Sequence, residues 1–334
     1  MTEGQKLTLD VLKTSLSKVG KTFGKDYSDG SSFAFVKLDL TNKGLSALSE
    51  DLANYQQLRH LVLGSNSLKD INVLGKLRFV LTLEAPSNQI TDLSLFNHGE
   101  MFRFLRHLNL AKNQVESLQP LQLPELQSLC LSHNRIASAI RFLGHPMLQL
   151  LELRGNQLLS LEGLGSMPKL THLYLAQNEI VSLAGLHDLP ALEVLHLRGN
   201  KLERIDADSM PSLPALKYIN LRENPVPTAA ELGKLSAFRG LTKLHVQGGP
   251  LAEEVGDNLK KEILIVLPNL LDVNKEEVTP EEKEDAIAEA AERAKVAEEA
   301  RLEAERQARE AAAKALEDAA KGDPAPEDPV EESS

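Results

Sequence analysis

Through most of the chain, large aliphatic residues fall at fixed offsets from one another, and a single line describes them: Leu-x-x-Leu-x-Leu-x-x-Asn-x-Leu. It reads LRHLVLGSNSL ending at Leu68, LRHLNLAKNQV at Val115, LQSLCLSHNRI at Ile136 and LQLLELRGNQL at Leu158. It continues as LTHLYLAQNEI at Ile180, LEVLHLRGNKL at Leu202 and LKYINLRENPV at Val226. A weaker copy, VLTLEAPSNQI, has Ala85 at its second strand position and ends at Ile90. The asparagines of these eight copies are Asn66, Asn88, Asn113, Asn134, Asn156, Asn178, Asn200 and Asn224, separated by 22, 25, 21, 22, 22, 22 and 24 residues. Self-similarity at such a period marks a stacked repeat architecture.

Each Leu-x-Leu pair predicts a short strand whose leucines point inward and whose intervening residues point out, because side chains alternate across a strand. Stacked copies give an α/β solenoid, a horseshoe with a parallel sheet on its concave face and about ten strands. The Asn side chain, both donor and acceptor, can satisfy peptide groups where the chain turns sharply after the strand. The return segment, as in Ile180 to Pro190, is about a dozen residues long, which suits a 3₁₀ turn or extended piece better than an α-helix. Leu9, Leu12, Leu16 and Val19 lie at helical spacing and predict a cap helix over residues 7–19, within an N-terminal cap of residues 1–34. FVKLDLTNKGL from Phe35 is a degenerate first repeat with Lys43 in the Asn place, and LTKLHVQGGPL from Leu241 is a late one with Gly249 there. KKEILIVLPNLLDVN should then close the core, so that solenoid and cap span residues 35–275.

From Thr279 the pattern changes to Ala, Glu, Lys and Arg with no Gly until Gly322. Thr279-Pro280-Glu281-Glu282 is a helix start, with Thr as N-cap and Pro in the first turn. One long charged helix is predicted over 279–321, stabilised by pairs such as Glu289–Arg293 and Glu305–Arg309, followed by a disordered acidic tail over 322–334. Ile287, Val296, Leu302 and Leu316 sustain no heptad, so a self-assembling coiled coil is not expected.

Charge follows the same division. Residues 281–334 carry 18 acidic and 8 basic side chains, so of the net charge of -11 little remains for residues 1–280, with 30 acidic and 29 basic. Nucleic-acid binding as the main business is thereby disfavoured. Cys130, the single cysteine, cannot form an internal disulfide, and MTEGQKLTLD lacks the features of a signal peptide. With no apolar run approaching a bilayer span, a soluble intracellular protein is expected.

The chain offers little that could carry catalysis. Val19-Gly20-Lys21-Thr22 ends like a phosphate-binding loop, but the earlier glycine falls on Ser15. The histidines show no metal-binding spacing, so no metal, cofactor or catalytic residue is expected, although His172 and His196 sit in neighbouring strands. Binding is expected instead from outward strand positions of the later repeats: Glu152, Arg154, His172, Tyr174, His196, Arg198, Tyr218, Asn220, Arg222, Lys243 and His245. Tyr and Arg favour recognition surfaces. Arg154, Arg198 and Arg222 hold equivalent positions and predict a broken positive column suited to an acidic partner segment.

In its repeats, its lead-in LTLDVLKTSLSKVGKT with FAFVKLDL, and its closing VLPNLLDVNKEE before a charged helix, the chain resembles the leucine-rich repeat protein of the radial spokes of motile cilia and flagella. The resemblance spans residues 7–300 in order. It implies a non-enzymatic scaffold of the axoneme, a monomeric subunit bound to other spoke proteins through the concave face and the helix, with no nucleic-acid or membrane partner. The alternative is a leucine-rich regulatory subunit of protein phosphatase 1, from which more uniform repeats and an acidic, aromatic concave face are expected.

Overall fold

A computed structural model describes residues 5–22, 33–206 and 210–321. The chain divides into two units, Met1–Thr279 and Pro280–Ser334. The first is a leucine-rich repeat solenoid built on a 13-stranded sheet. From Phe33–Asp39 to Lys243–His245 the repeat strands pair in parallel and in sequence order, each in register with the next. These are the ten strands read from the repeats. Three more complete the sheet: Leu16–Lys21 at one end and Asp272–Val273 with Glu276–Glu277 at the other.

The inward leucines form a dry stack. Leu129, Leu131, Leu151, Leu153, Leu173 and Leu175 are all 0% exposed, and each such side chain contributes about 1.5–3 kcal/mol of burial free energy before conformational entropy is set against it. Ala85 is buried too, so the weak copy keeps its place in the core with a smaller side chain.

The asparagines join one coil to the next by a fixed set of bonds. In Asn178, Nδ2 donates to the carbonyls of Leu153 (2.9 Å) and Leu175 (3.0 Å), while Oδ1 accepts from the Leu158 amide (3.1 Å). The same three-way bridge recurs at Asn66, Asn88, Asn113, Asn134, Asn156, Asn200 and Asn224. The residue before each asparagine is left-handed, with φ between 55° and 67° at Ser65, Ser87, Lys112, His133, Gly155, Gln177, Gly199 and Glu223. That conformation turns the chain sharply enough for Asn to reach back into the preceding coil. At Gly249 the bridge is missing because a Cβ there would stand 2.3 Å from the Asn224 carbonyl oxygen.

The return segments are mostly free of α-helix. Glu50–Asn54, Asn72–Lys76 and Ser94–Asn97 are 3₁₀ turns, the middle coils return in irregular turns, and one later coil forms the short α-helix Ala229–Gly233. Where helix is lacking the backbones touch: at Gly163 (φ 87°) a Cβ would meet the Ala139 carbonyl oxygen at 2.1 Å.

The N-terminal end differs from expectation. The helix is only Leu9–Thr14, capped by the Thr8 hydroxyl, and Leu16–Lys21 is a strand antiparallel to Phe33–Asp39. Of the residues at helical spacing only Leu12 is fully buried, while Leu9 and Val19 are exposed. Val19 is β-branched and Gly20 weakens a helix. The open edge of the first repeat strand, in contrast, offers a row of unpaired peptide groups that a strand satisfies and a helix cannot. At the other end the helix Leu259–Val266 buries Ile263 and Leu264, and Leu267, Leu270 and Val273 complete the plug.

The second unit contains one helix, Pro280–Lys321, of 42 residues, about 63 Å long at 1.5 Å per residue. Glu289 pairs with Arg293 at 3.0 Å, whereas Glu305 turns to Arg301 (3.7 Å) rather than to Arg309. Ile287, Val296 and Leu302 are exposed. The acidic tail read over 322–334 lies outside the described residues.

Replacing Asn178, whose bridge is buried, leaves one amide and two carbonyls short of a partner. Asn178→Ala should lower the urea unfolding free energy by about 3 kcal/mol, and Asn66→Ala, in a half-exposed coil, by about 1 kcal/mol. Equal losses would show that the bridges are not what holds the coils in register.

Candidate protein-binding face

The open face of the sheet is written by the two residues that flank the inward leucine of each strand. In the later strands these are Leu150 and Glu152, His172 and Tyr174, Val194 and His196, Tyr218 and Asn220, and Lys243 and His245. The parallel register sets them side by side, Tyr174 against His196 and His196 against Asn220.

Five rings therefore meet in one band. Centroid separations run 6.2 Å from His172 to Tyr174, 4.8 Å on to His196, 5.1 Å on to Tyr218 and 4.9 Å on to His245. The Tyr218 hydroxyl donates to Nδ1 of His245 (2.8 Å), which leaves the Nε2–H of that ring facing the Asp272 carboxylate at 3.5 Å. Nδ2 of Asn220 approaches Nδ1 of His196 at 3.4 Å, and Oδ1 of Asn220 accepts from the Arg222 amide. Asn220 and His245 are themselves buried, so they position the band while Tyr174, His172, His196 and Tyr218 present it.

Burial governs the protonation of the band. It pushes His196 below the ordinary imidazole range, helped by His245 and His172, and it pushes His245 down against the opposing pull of Asp272. It raises the Tyr174 and Tyr218 hydroxyls. Burial thus disfavours charge on His196 and His245, and the band is a row of flat, amphipathic surfaces of the kind that anchor protein interfaces.

Of the three arginines of the expected column only Arg198 has its charge offset by an ion pair, while Arg154 and Arg222 are held by neutral amides and stay cationic. Nε of Arg154 donates to Oε1 of Gln177 (3.0 Å), Arg198 is ion-paired with Glu223, and Nε of Arg222 donates to Oε1 of Gln247 (3.1 Å). Each reaches into the following coil, and the Arg198 guanidinium holds the Glu223 carboxyl below its usual range. Arg154 and Arg198 edge a hollow of about 350 Å³ lined also by Tyr174, Ala176, Gln177, His196 and Asn220. Lys243 is exposed beside the band.

Glu152 belongs elsewhere. With Glu84, Thr82, His107, Asn109, Ser128 and Cys130 it lines a second hollow, of about 450 Å³, across the earlier strands. The Cys130 thiol lies 3.3 Å from Oε2 of Glu152, and burial holds its pKa above the ordinary thiol value, which suppresses the thiolate a nucleophile needs. These earlier positions follow from the same alternation that gave the later ones. Gln177, Glu223 and Gln247, which fix the predicted arginines in place, lie outside the strand pattern, and Asp272 comes from the closing strand Asp272–Val273 rather than from a repeat. Among the described residues no group of three His, Cys, Asp or Glu side chains is placed to hold a metal ion, so His172 and His196 gain no third ligand. Among them, too, no helix is long and apolar enough to cross a membrane.

Leucine rich repeat profiles match residues 146–202, 168–226 and 190–251, and a two-copy profile matches 103–145. Over 281 residues the chain is 33% identical to leucine-rich repeat-containing protein 23 of Bos taurus, covering 84% of this chain and 78% of that one. This chain belongs to that family. The Homo sapiens member is 32% identical over the same coverage. An internalin (InlF) from Listeria monocytogenes superposes with a TM-score of 0.54 at 20% identity, covering 74% of this chain and 84% of the other, which supports the solenoid fold alone. Neither the profiles nor these relatives indicate a catalytic family, and they lend no support to the phosphatase-subunit alternative.

The imidazoles give the solenoid a definite pH response. A folded-state pKa below the unfolded value means that, as pH falls, the unfolded chain takes up protons that the folded one refuses. Stability should therefore be full above the ordinary imidazole value of about 6.5 and decline as pH falls below it towards the folded pKa values. His196→Phe should flatten that decline in urea titrations between about pH 7.5 and 5.5, and an unchanged slope would remove His196 as a contributor.

Proposed function

We propose that this chain is a non-enzymatic structural scaffold of the ciliary and flagellar axoneme, a radial spoke component that holds other spoke proteins. Its open sheet face and its C-terminal helix are the contacts. The observation that carries the reading is the ring band from His172 to His245, held on a rigid parallel sheet in a chain of the leucine-rich repeat-containing protein 23 family. A scaffold needs side chains whose position is fixed before binding, since ordering them at the interface costs about 0.5–1.5 kcal/mol each. Here the hydroxyl, imidazole and carboxylate of Tyr218, His245 and Asp272 already fix the band's end. The long charged helix supplies a second contact of a different kind, extended and solvated, with exposed Ile287, Val296 and Leu302 as apolar footholds.

Affinity purification of the full chain from detergent-extracted cilia tests the assignment, with spoke proteins expected among the recovered subunits. Paired Tyr174→Ala and Tyr218→Ala should reduce that recovery at least tenfold, as loss of an interface anchor does, while leaving the thermal melt close to that of the parent. Deletion of residues 280–334 should reduce incorporation without unfolding the solenoid. Recovery of a phosphatase catalytic subunit and no spoke protein would overturn the reading.

A further inference from the structure

Two successive coils carry the same dipeptide just ahead of the strand, Arg78-Phe79 and Arg103-Phe104. The coils are in register there: the Leu81 carbonyl accepts from the amides of Arg106 (2.9 Å) and His107 (3.2 Å), and Thr82 pairs with His107. The two phenylalanine rings consequently stack, with centroids 6.1 Å apart and planes within 21°. Phe104 is 42% exposed, an unusual place for a large aromatic that the core does not use.

Arg78, Arg103 and Arg106 flank these rings in the sequence and are exposed. Among the described residues none of the three guanidinium groups makes an ion pair or hydrogen bond. On the later strands, by comparison, Arg154, Arg198 and Arg222 are all bonded within the solenoid. Arg59, at the position equivalent to Arg106 two coils earlier, is tied to the Lys21 carbonyl. The carboxylates nearest to them in sequence, Glu84 and Glu100, form no ion pair with the three among the described residues.

We infer that Phe79, Phe104, Arg78, Arg103 and Arg106 form a docking ridge for an acidic protein segment bearing apolar side chains. It is separate from the ring band: the His107 strand stands three strand spacings from the His172 strand, or about 14 Å. Guanidinium groups without internal partners match carboxylates in bidentate geometry, and the exposed Phe104 ring, backed by the half-buried Phe79, takes an apolar side chain between them. A nucleic acid is the weaker fit. The solenoid as a whole balances 30 acidic against 29 basic side chains over residues 1–280, so it has no extended positive field to gather a polyanion. The ridge recognises a short segment at close range.

The test uses the full chain and a fluorescein-labelled twenty-residue peptide of Asp and Glu with Leu at every fourth position, read by fluorescence anisotropy at low salt and at about 0.15 M. The parent chain should bind. Joint Arg78→Glu, Arg103→Glu and Arg106→Glu should weaken binding more than tenfold, and Phe104→Ala should weaken it several-fold with all charges retained. Joint Arg→Lys at the same three positions, which keeps the charge and loses the fork, should fall between. Tyr174→Ala with Tyr218→Ala should leave it unchanged, so this outcome is independent of the one tested on cilia. No binding by the parent, equal binding by the charge-reversed chain, loss with the tyrosine pair instead, or tighter binding of a single-stranded DNA of the same length would each overturn the assignment.

Discussion

Every coil of this solenoid must end its strand, turn and start back without leaving peptide groups unpaired in a dry interior, and one side chain per coil resolves that demand. An asparagine amide offers two donors and an acceptor in a plane, and here it spends them across the boundary between coils: on its own strand's last carbonyl, the preceding strand's carbonyl and the preceding turn's amide. The bond set fixes the rise from one coil to the next more tightly than the leucines can, because apolar contacts tolerate sliding and hydrogen bonds do not. A left-handed residue immediately before the asparagine is part of the same device. Non-glycine side chains such as Lys112, His133 and Gln177 occupy it at a conformational cost, which the buried bridge beside them offsets.

A surface assembled on that frame inherits its spacing. Residues flanking the inward leucine are set one strand apart down the sheet, so rings that are remote in sequence become neighbours without any local interaction designed to gather them. Tyr174 and His196 are brought to 4.8 Å by register alone. Mutual contact then dries the rings and lowers the basicity of His196 and His245, where each residue by itself would read as an ordinary polar surface position.

What the sequence made legible was whatever repeats. The leucine and asparagine periods specified the strands, their order, their inward faces and the eight bridges, because each is enforced coil after coil by the same physics. Unrepeated features were read less well. The stretch from Leu9 to Val19 has helical spacing, yet its second half is recruited as a strand by the open edge of Phe33–Asp39, a tertiary demand with no local signature. The arginines were legible only as far as their starting points, for a related reason: equivalent positions predict that Arg154, Arg198 and Arg222 align, but not that Gln177, Glu223 and Gln247 in the next coils bond them. Period tells where a side chain starts and says nothing about where a long flexible one ends.

That distinction bears on how charge and shape divide the work of recognition. An exposed ion pair such as Arg198–Glu223 contributes little to stability, but it does offset both charges, so the later half of the face presents its rings beside two cations, Arg154 and Arg222. The earlier half keeps its carboxylates, Glu84 and Glu152, in an open hollow, and the coils that carry Phe79 and Phe104 keep their arginines unpaired. One repeating backbone therefore displays aromatic, acidic and basic surfaces in succession, since the period constrains only the inward residues and the asparagine. A scaffold that must hold several neighbours at fixed spacing gains most from this separation: the buried positions set the distances between docking sites, and the free positions set what each site accepts.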